Sequence, residues 1–424
     1  MSAAAATAEP AAAAPTLVPL HREPLFRRFW LGQSISVFGD QVSALAIPLT
    51  AVLALHATTL QVGILTSLAW LPHLLFSLPA GVWIDRRSHR RRNMIVADVG
   101  RALALATVPL AWWLDALTIW HLLGVAFALG ALTVFFDLSY SSFFVALVRR
   151  EQYVEASSRL STSRSVSYIG GPSTAGVLVQ ILGAPVALLA DALSFVVSAF
   201  ALRGIRVPEL EVGPRERVRR ELAHGFRFLW QQPLLRAGVL CTSTVNLFNF
   251  LLHAIFIVYA SRTLGLSAAT IGIVLGAASV GALLGALVAP RVGRRIGMGR
   301  AVVIGSVLFP APMVLFPLAQ GPHWVSALML LVGEFFAGVG VMIFDVNQNA
   351  LIAIVIPNEI RSRVGGVQRF FNYGVRPIGA FLGGVLGAAI GLRTTLWISV
   401  LGCLLGVFFL LASPMPHTRE EDLA

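Results

Sequence analysis

Along the 424 residues the apolar positions neither alternate nor recur every third or fourth place. They arrive in near-continuous runs of about 20 residues, divided by short polar stretches, and one such run as a helix crosses about 30 Å of hydrocarbon. The runs occupy residues 29–55, 60–84, 93–113, 119–148, 160–182, 184–202, 233–259, 268–290, 301–319, 324–350, 363–390 and 395–411. That pattern predicts an all-α polytopic membrane protein of about twelve transmembrane helices. Pro48, Pro72, Pro109, Pro172 and Pro377 fall inside runs, where packed neighbours can satisfy the carbonyls that a proline frees.

Composition points the same way. The chain is 57% apolar and 12% charged, with a mean hydropathy of +0.79, whereas an ordinary soluble domain is about a quarter charged. The net charge of +12 would suit a nucleic-acid binder if it were gathered on one surface. It is spread instead over the short connections between runs, so no nucleic-acid partner is expected. Arg22, Arg27 and Arg28 precede the first run, and Arg86, Arg87 and Arg90 to Arg92 follow the second. Arg149 and Arg150, the 203–227 stretch, Arg291, Arg294 and Arg295, and Arg361 and Arg363 follow the fourth, sixth, eighth and tenth runs, while the alternate connections hold only Arg262 and Arg393. Arginine and lysine collect in cytoplasmic loops, so both termini are expected on the cytoplasmic side of an inner or plasma membrane.

These signals divide the chain into a disordered leader (1–22), a six-helix bundle (23–203), a cytoplasmic linker (204–232), a second six-helix bundle (233–412) and a cytoplasmic tail (413–424). Inside the linker, Val218, Leu222, Phe226 and Leu229 share one helical face among arginines, the pattern of an amphipathic helix lying at the membrane surface. Such a helix either couples the bundles as part of a gate or merely tethers them.

Several chemistries are closed off. All 32 basic residues are arginine, which excludes the P-loop lysine and Schiff-base chemistry. Cys241 and Cys403 lie inside apolar runs and form neither a zinc spacing nor a disulfide framework. No metalloprotease histidine pair or nucleophile-elbow serine is present. Neither catalytic residues, metal ligands nor cofactors are expected.

The chain repeats itself. Adding 208 carries Arg86 and Arg87 to Arg294 and Arg295, Arg92 to Arg300, Asp137 to Asp345, Glu151 to Glu359, Gly171 to Gly379 and Gly176 to Gly384. One offset held from the second run to the fifth implies two halves of the same topology, and parallel repeats of this kind are the arrangement of the major facilitator superfamily, with a ligand site near mid-membrane between the halves.

Residues 81–92, with Gly81, Asp85, Arg86 and Arg90 to Arg92, resemble that superfamily's signature between its second and third spans, departing at Ser88 and His89 where the signature has glycine and arginine. The resemblance implies a latch in which Asp85 pairs with arginines at a helix end, echoed by Arg294 and Arg295; the plainer alternative is a positive-inside loop. Gly171, Pro172 and Gly176 resemble the antiporter motif Gly-Pro-x-x-Gly-Gly, with Ala175 for one glycine, and Gly379 and Gly384 answer them in the eleventh run. Small-residue helix packing explains the same residues. Residues 154–177, 191–195, 220–230 and 347–391, together with Gly39 and Asp40, resemble the branch that contains enterobactin-type siderophore exporters, macrolide efflux proteins and transmembrane secretion effectors. The resemblance implies export by a proton-driven mechanism and names no substrate; polar residues interleaved with aromatics suit a bulky amphipathic small molecule, and a monomer is expected. Uptake of a solute, or a non-transporting sensor on the same fold, are the alternatives.

An ionisable side chain inside a span costs several kcal/mol and marks function by default. Asp40, Glu334, Asp137 and Asp345 are the candidates for carrying a coupling proton, since a carboxyl group taken out of water is suited to reversible protonation. Arg376 is expected either to pair with Asp40 or Glu334 or to hold an anionic ligand. Gln33, Asn246, Asn249, Asn372 and Tyr373 are further cavity candidates. Structural ion pairs are the competing account of the charges; Asp98 and Arg101, near a cytoplasmic helix end, read as too close along one face to pair well with each other.

Overall fold

A computed structural model describes residues 20–85, 89–205, 207, 218–357 and 360–418. Fourteen α-helices are present among them: α1 (Pro24–Leu49), α2 (Thr59–Asp85), α3 (Arg90–Trp113), α4 (Ile119–Leu147), α5 (Tyr153–Leu182), α6 (Ala184–Arg203), α7 (Val218–Gln231), α8 (Pro233–Val258), α9 (Ala268–Ile296), α10 (Met298–Leu308), α11 (Leu315–Leu318), α12 (His323–Val355), α13 (Arg361–Ala389) and α14 (Leu392–Leu411). The side chains facing outward from the bundle are apolar: on α6, Leu193, Val196, Val197 and Phe200 form a stripe, with Phe200 78% exposed. Water would not tolerate a belt of that kind, whereas lipid does.

Ten described helical segments are long and apolar enough to cross a membrane. The other two long helices, α5 and α13, carry more polar and small residues, and both pack across the boundary between the halves, α5 against α9 and α13 against α2. The expected ninth run, 301–319, is not one helix. Pro310 and Pro312 break it after α10 into a 3₁₀ turn at Ala311–Val314 and the short α11, because a proline removes an N–H and crowds the preceding turn; Met298–Leu318 together still has the length and hydropathy of one span.

Neighbours repeat with the sequence. In the first half α1 packs on α5 and α6, α2 on α4, and α3 on α4 and α6; in the second, α8 packs on α13 and α14, α9 on α12, and α10 on α12 and α14. A π-helical turn ends α1 at Thr50–Ala54 and α8 at Tyr259–Thr263. The tight turns into α6 and α14 both use a positive-φ glycine, Gly183 and Gly391, 208 positions apart. The amphipathic α7 packs on α13 and α8: Leu229 is buried, and Phe226 stacks on Phe371 of α13 at 6.3 Å. The side chains of Val218 and Leu222 lie outside the described residues.

The halves close on each other away from the arginine-rich end. Gly63 and Gly384 bring α2 and α13 into backbone contact, and a Cβ on Gly387 would lie 2.8 Å from Thr59 Cγ2. Ser67 Oγ donates to the Pro377 carbonyl at 2.8 Å. Opposite them, a Cβ on Gly176 of α5 would lie 2.5 Å from the Ala268 carbonyl at the start of α9. Arg262 joins the two π-turns by donating to the Val52 carbonyl at 3.0 Å.

Candidate functional site

Two polar cavities lie in the bundle, one in each half. The first, about 100 Å³, is lined by Gln33, Asp40, Arg101, Phe136, Asp137 and Arg164 among others; the second, about 290 Å³, is lined by Cys241, Phe309, Phe344, Asp345, Asn372 and Arg376 among others, including Asn246 and Asn249. Under the 208 offset Gln33 corresponds to Cys241, Arg101 to Phe309, Phe136 to Phe344, Asp137 to Asp345 and Arg164 to Asn372. They are one cavity in two copies, and the copies differ in charge. The two arginines near Asp137 have become Phe309 and Asn372 near Asp345.

The first cavity backs onto a charged cluster. Arg101 donates to Asp98, both essentially shielded from solvent, and the guanidinium lies over Phe136 at 4.4 Å and Phe195 at 4.1 Å. This corrects the expectation for that pair: residues three apart are neighbours on a helix surface, and the pair sits mid-helix. Asp191, 1% exposed, accepts from Ser43 and from Ser194 at 2.8 Å. It fits against α1 because Gly39 has no side chain; a Cβ there would lie 2.6 Å from Ser194 Cβ. Asp40, the next residue, faces the cavity half-buried, within electrostatic reach of Asp191, Arg101, Asp137 and Asp98. Gln33 is buried and donates to Ser198 Oγ at 3.0 Å, so it belongs to this cluster and not with the other cavity candidates.

In the second half Asn246, Asn249, Asn372, Asp345 and Arg376 are brought to one wall, with Asp345 accessible from the cavity. Among the described residues no ion pair reaches Arg376, Asp345, Asp40 or Glu334. Arg376 therefore does not pair with either carboxylate expected for it. Its Nη2 donates to Asn372 Oδ1 at 2.8 Å, and its guanidinium lies over Tyr373 at 4.2 Å, Trp70 at 4.6 Å and Phe250 at 5.0 Å. Each such contact stabilises a cation by about 0.5 to 2 kcal/mol, more as water is excluded. His73 stacks on Tyr373 at 5.8 Å and completes the cage. Glu334, half-buried on α12, lines neither cavity.

Trp70 and His73 went unnoticed in the sequence. A signal was present: Gly63, Ser67, Trp70 and Leu74 form one helical stripe on α2, and each meets α13. Asn347 is buried and donates to the Ile343 carbonyl at 2.8 Å, a packing role.

The glycine-rich motif residues pack helices in both halves. Gly171 lets Gln41 of α1 approach, Gly379 does the same for Leu247 of α8, and Gly176 and Gly384 form the cross-half contacts. Of the expected latch, Arg90 is half-buried and Arg294 and Arg295 are exposed. Gly81 and Asp85 fall near the C-terminal end of α2, but the Asp85 side chain, and Arg86 altogether, lie outside the described residues.

Comparison with known proteins agrees with this architecture. Residues 14–424 match the family described as transmembrane secretion effector. The multidrug efflux pump Tap of Mycolicibacterium fortuitum is 30% identical over 410 residues, covering 91% of this chain and 94% of Tap. The enterobactin exporter EntS of Citrobacter koseri is 24% identical over 375 residues, covering 87% of this chain and 86% of EntS. A bacterial homologue of the iron transporter ferroportin, 19% identical, superimposes with a TM-score of 0.71 in its inward-facing state, covering 92% of this chain and 98% of that one. In the outward-facing state the TM-score is 0.60. The chain belongs to the transmembrane secretion effector family of the major facilitator superfamily, and it is a multi-pass membrane transporter, not an enzyme.

Proposed function

We propose that the chain is a proton-coupled exporter of a bulky, amphipathic small molecule that works by alternating access, with the arginine-rich end and both termini in the cytoplasm. The observation that carries this reading is the one-ended closure. α2 with α13 and α5 with α9 seal the halves where arginines are scarce, leaving the polar cavities to be reached from the other end. Rocking the bundles (23–203 and 233–412) about the cavities would reverse the exposure. The latch residues Gly81, Asp85, Arg86, Arg90, Arg294 and Arg295 would hold the cytoplasmic end in the reversed state.

The unlike copies of the cavity give each half a task. Asp40 and Asp137, among arginines, exchange protons in the first half, while Asp345 and Arg376 face the ligand in the second; Glu334 is a second proton carrier away from both cavities. The driving force suffices. A proton descending 100 mV releases about 2.3 kcal/mol and a pH unit adds about 1.4 kcal/mol, so together they let one proton per molecule sustain an outward gradient of roughly five hundredfold. Tap's description as a multidrug pump supports drugs as ligands.

Deleting the protein and profiling which metabolites and added drugs accumulate in the cell tests export, and unchanged accumulation of every compound would end that reading. Coupling is tested by export under an imposed pH gradient with Asp40→Asn and Glu334→Gln. Loss of gradient-driven export in either variant is expected; full coupling in both would retire the proton assignment.

A further inference from the structure

The cage around Arg376 is a site only half filled. A guanidinium carries five N–H donors; here one N–H is seen to donate, to Asn372, and Nε is shut off from solvent without any partner. Trp70, Tyr373 and Phe250 hold the cation by its face, which leaves the donor-bearing edge unspent. A structural arginine at this depth would be expected to meet a carboxylate, as Arg101 meets Asp98 in the first half, yet no ion pair reaches Arg376 among the described residues. The side chain also lines the second cavity. His73 Nδ1 is likewise buried and without a partner.

We propose that this cage is the receptor for an acidic group borne on a flat aromatic ring of the transported molecule. A carboxylate or ionised phenol would take the free edge of the guanidinium in a forked hydrogen bond, while its ring lies among aromatic side chains already spaced for stacking. Trp70 and His73 come from the first half and Arg376, Tyr373 and Phe250 from the second, so one ligand group would touch both moving bodies. The assignment rests on the transport reading for its purpose, but its test does not use transport.

Binding to the purified full-length protein is measured with the isosteric pair 2-naphthoate and 2-naphthamide and with the cation 2-naphthylmethylammonium, by ligand-dependent thermal stabilisation and titration calorimetry. Naphthoate is expected to bind about tenfold or more tightly than the amide, the difference made by a hydrogen bond to a charged group. Arg376→Gln should erase the preference for the acid over the amide, and Arg376→Lys should keep part of it, since lysine retains the charge without the fork. Trp70→Leu should weaken both probes alike and leave their ratio intact, a check that does not depend on Arg376 variants folding. No binding of naphthoate to the unaltered protein, equal binding of acid and amide, a preference for the ammonium, or an undiminished preference in Arg376→Gln would each overturn the proposal. Failure of the accumulation profile would end the exporter reading and leave this binding result standing.

Discussion

Asp98 and Arg101 lie within one turn of α3, almost wholly screened from solvent, with the Arg101 guanidinium against the rings of Phe136 and Phe195. At such a place a charge persists because its partner is there. Removing one member of a buried pair strands the other and costs about 3–5 kcal/mol, whereas replacing both with apolar residues is often neutral. Asp98→Asn should therefore lower the melting temperature of the purified protein markedly, and Asp98→Leu with Arg101→Leu should restore most of the loss. A single variant that melts with the unaltered protein would show that the pair contributes nothing to stability. The two charges are visible in the sequence, but the expectation that they lie too close along one face to pair well fails, because residues three apart are neighbours on a helix surface and the guanidinium reaches the carboxylate across one turn. Trp70 and His73 were harder to see. Neither has an unusual neighbour in the chain, and what gives them a role is Arg376, some 300 positions away.

At the scale of helices, α5 and α13 are the two long segments without a stretch as apolar as the other spans, and each packs against the opposite half. Their glycines set how near that half can come. A Cβ on Gly384 would lie 2.8 Å from Gly63 Cα, a distance that real Cβ atoms do not adopt, so a side chain there must push α13 off α2. Gly384→Val should loosen the sealed end, and Gly384→Ala should do so less. The measurement is alkylation of Ser67→Cys by a membrane-impermeant reagent applied at that end, expected to speed up at least severalfold with Gly384→Val. Cys241 and Cys403 are buried and give little background. Unchanged labelling would mean that the glycine contact does not hold the seal. The runs of apolar residues and the arginine loops disclosed eleven of the twelve long segments almost as they stand. The ninth stands as a span, Met298–Leu318, but not as one helix, because hydropathy is blind to backbone geometry and Pro310 and Pro312 break it.

The whole molecule is two copies of one bundle, and a single offset of 208 makes this legible in the sequence. What it could not show is that the copies meet at one end, since that depends on contacts between α2 and α13 and between α5 and α9, far apart in the chain. Nor did it show that the paired cavities differ in charge, because Arg101 against Phe309 and Arg164 against Asn372 become meaningful only when they line equivalent walls. If transport needs the sealed end to open in each cycle, a bond across it must stop transport without unfolding anything. Thr59 and Gly387 supply the place: a Cβ on Gly387 would lie 2.8 Å from Thr59 Cγ2, which sets the two Cβ atoms near the roughly 3.5–4.5 Å that a disulfide spans. The Thr59→Cys, Gly387→Cys protein should transport when reduced, stop when oxidised, and recover on reduction, with each single variant indifferent to oxidant. Flux of a drug found in the accumulation profile into inside-out vesicles provides the measurement, and gel mobility after cleavage between the halves reports the bond. Continued flux through fully cross-linked protein would mean that the closed end is not a gate, and that ligand passes by a route other than the one between the two bundles.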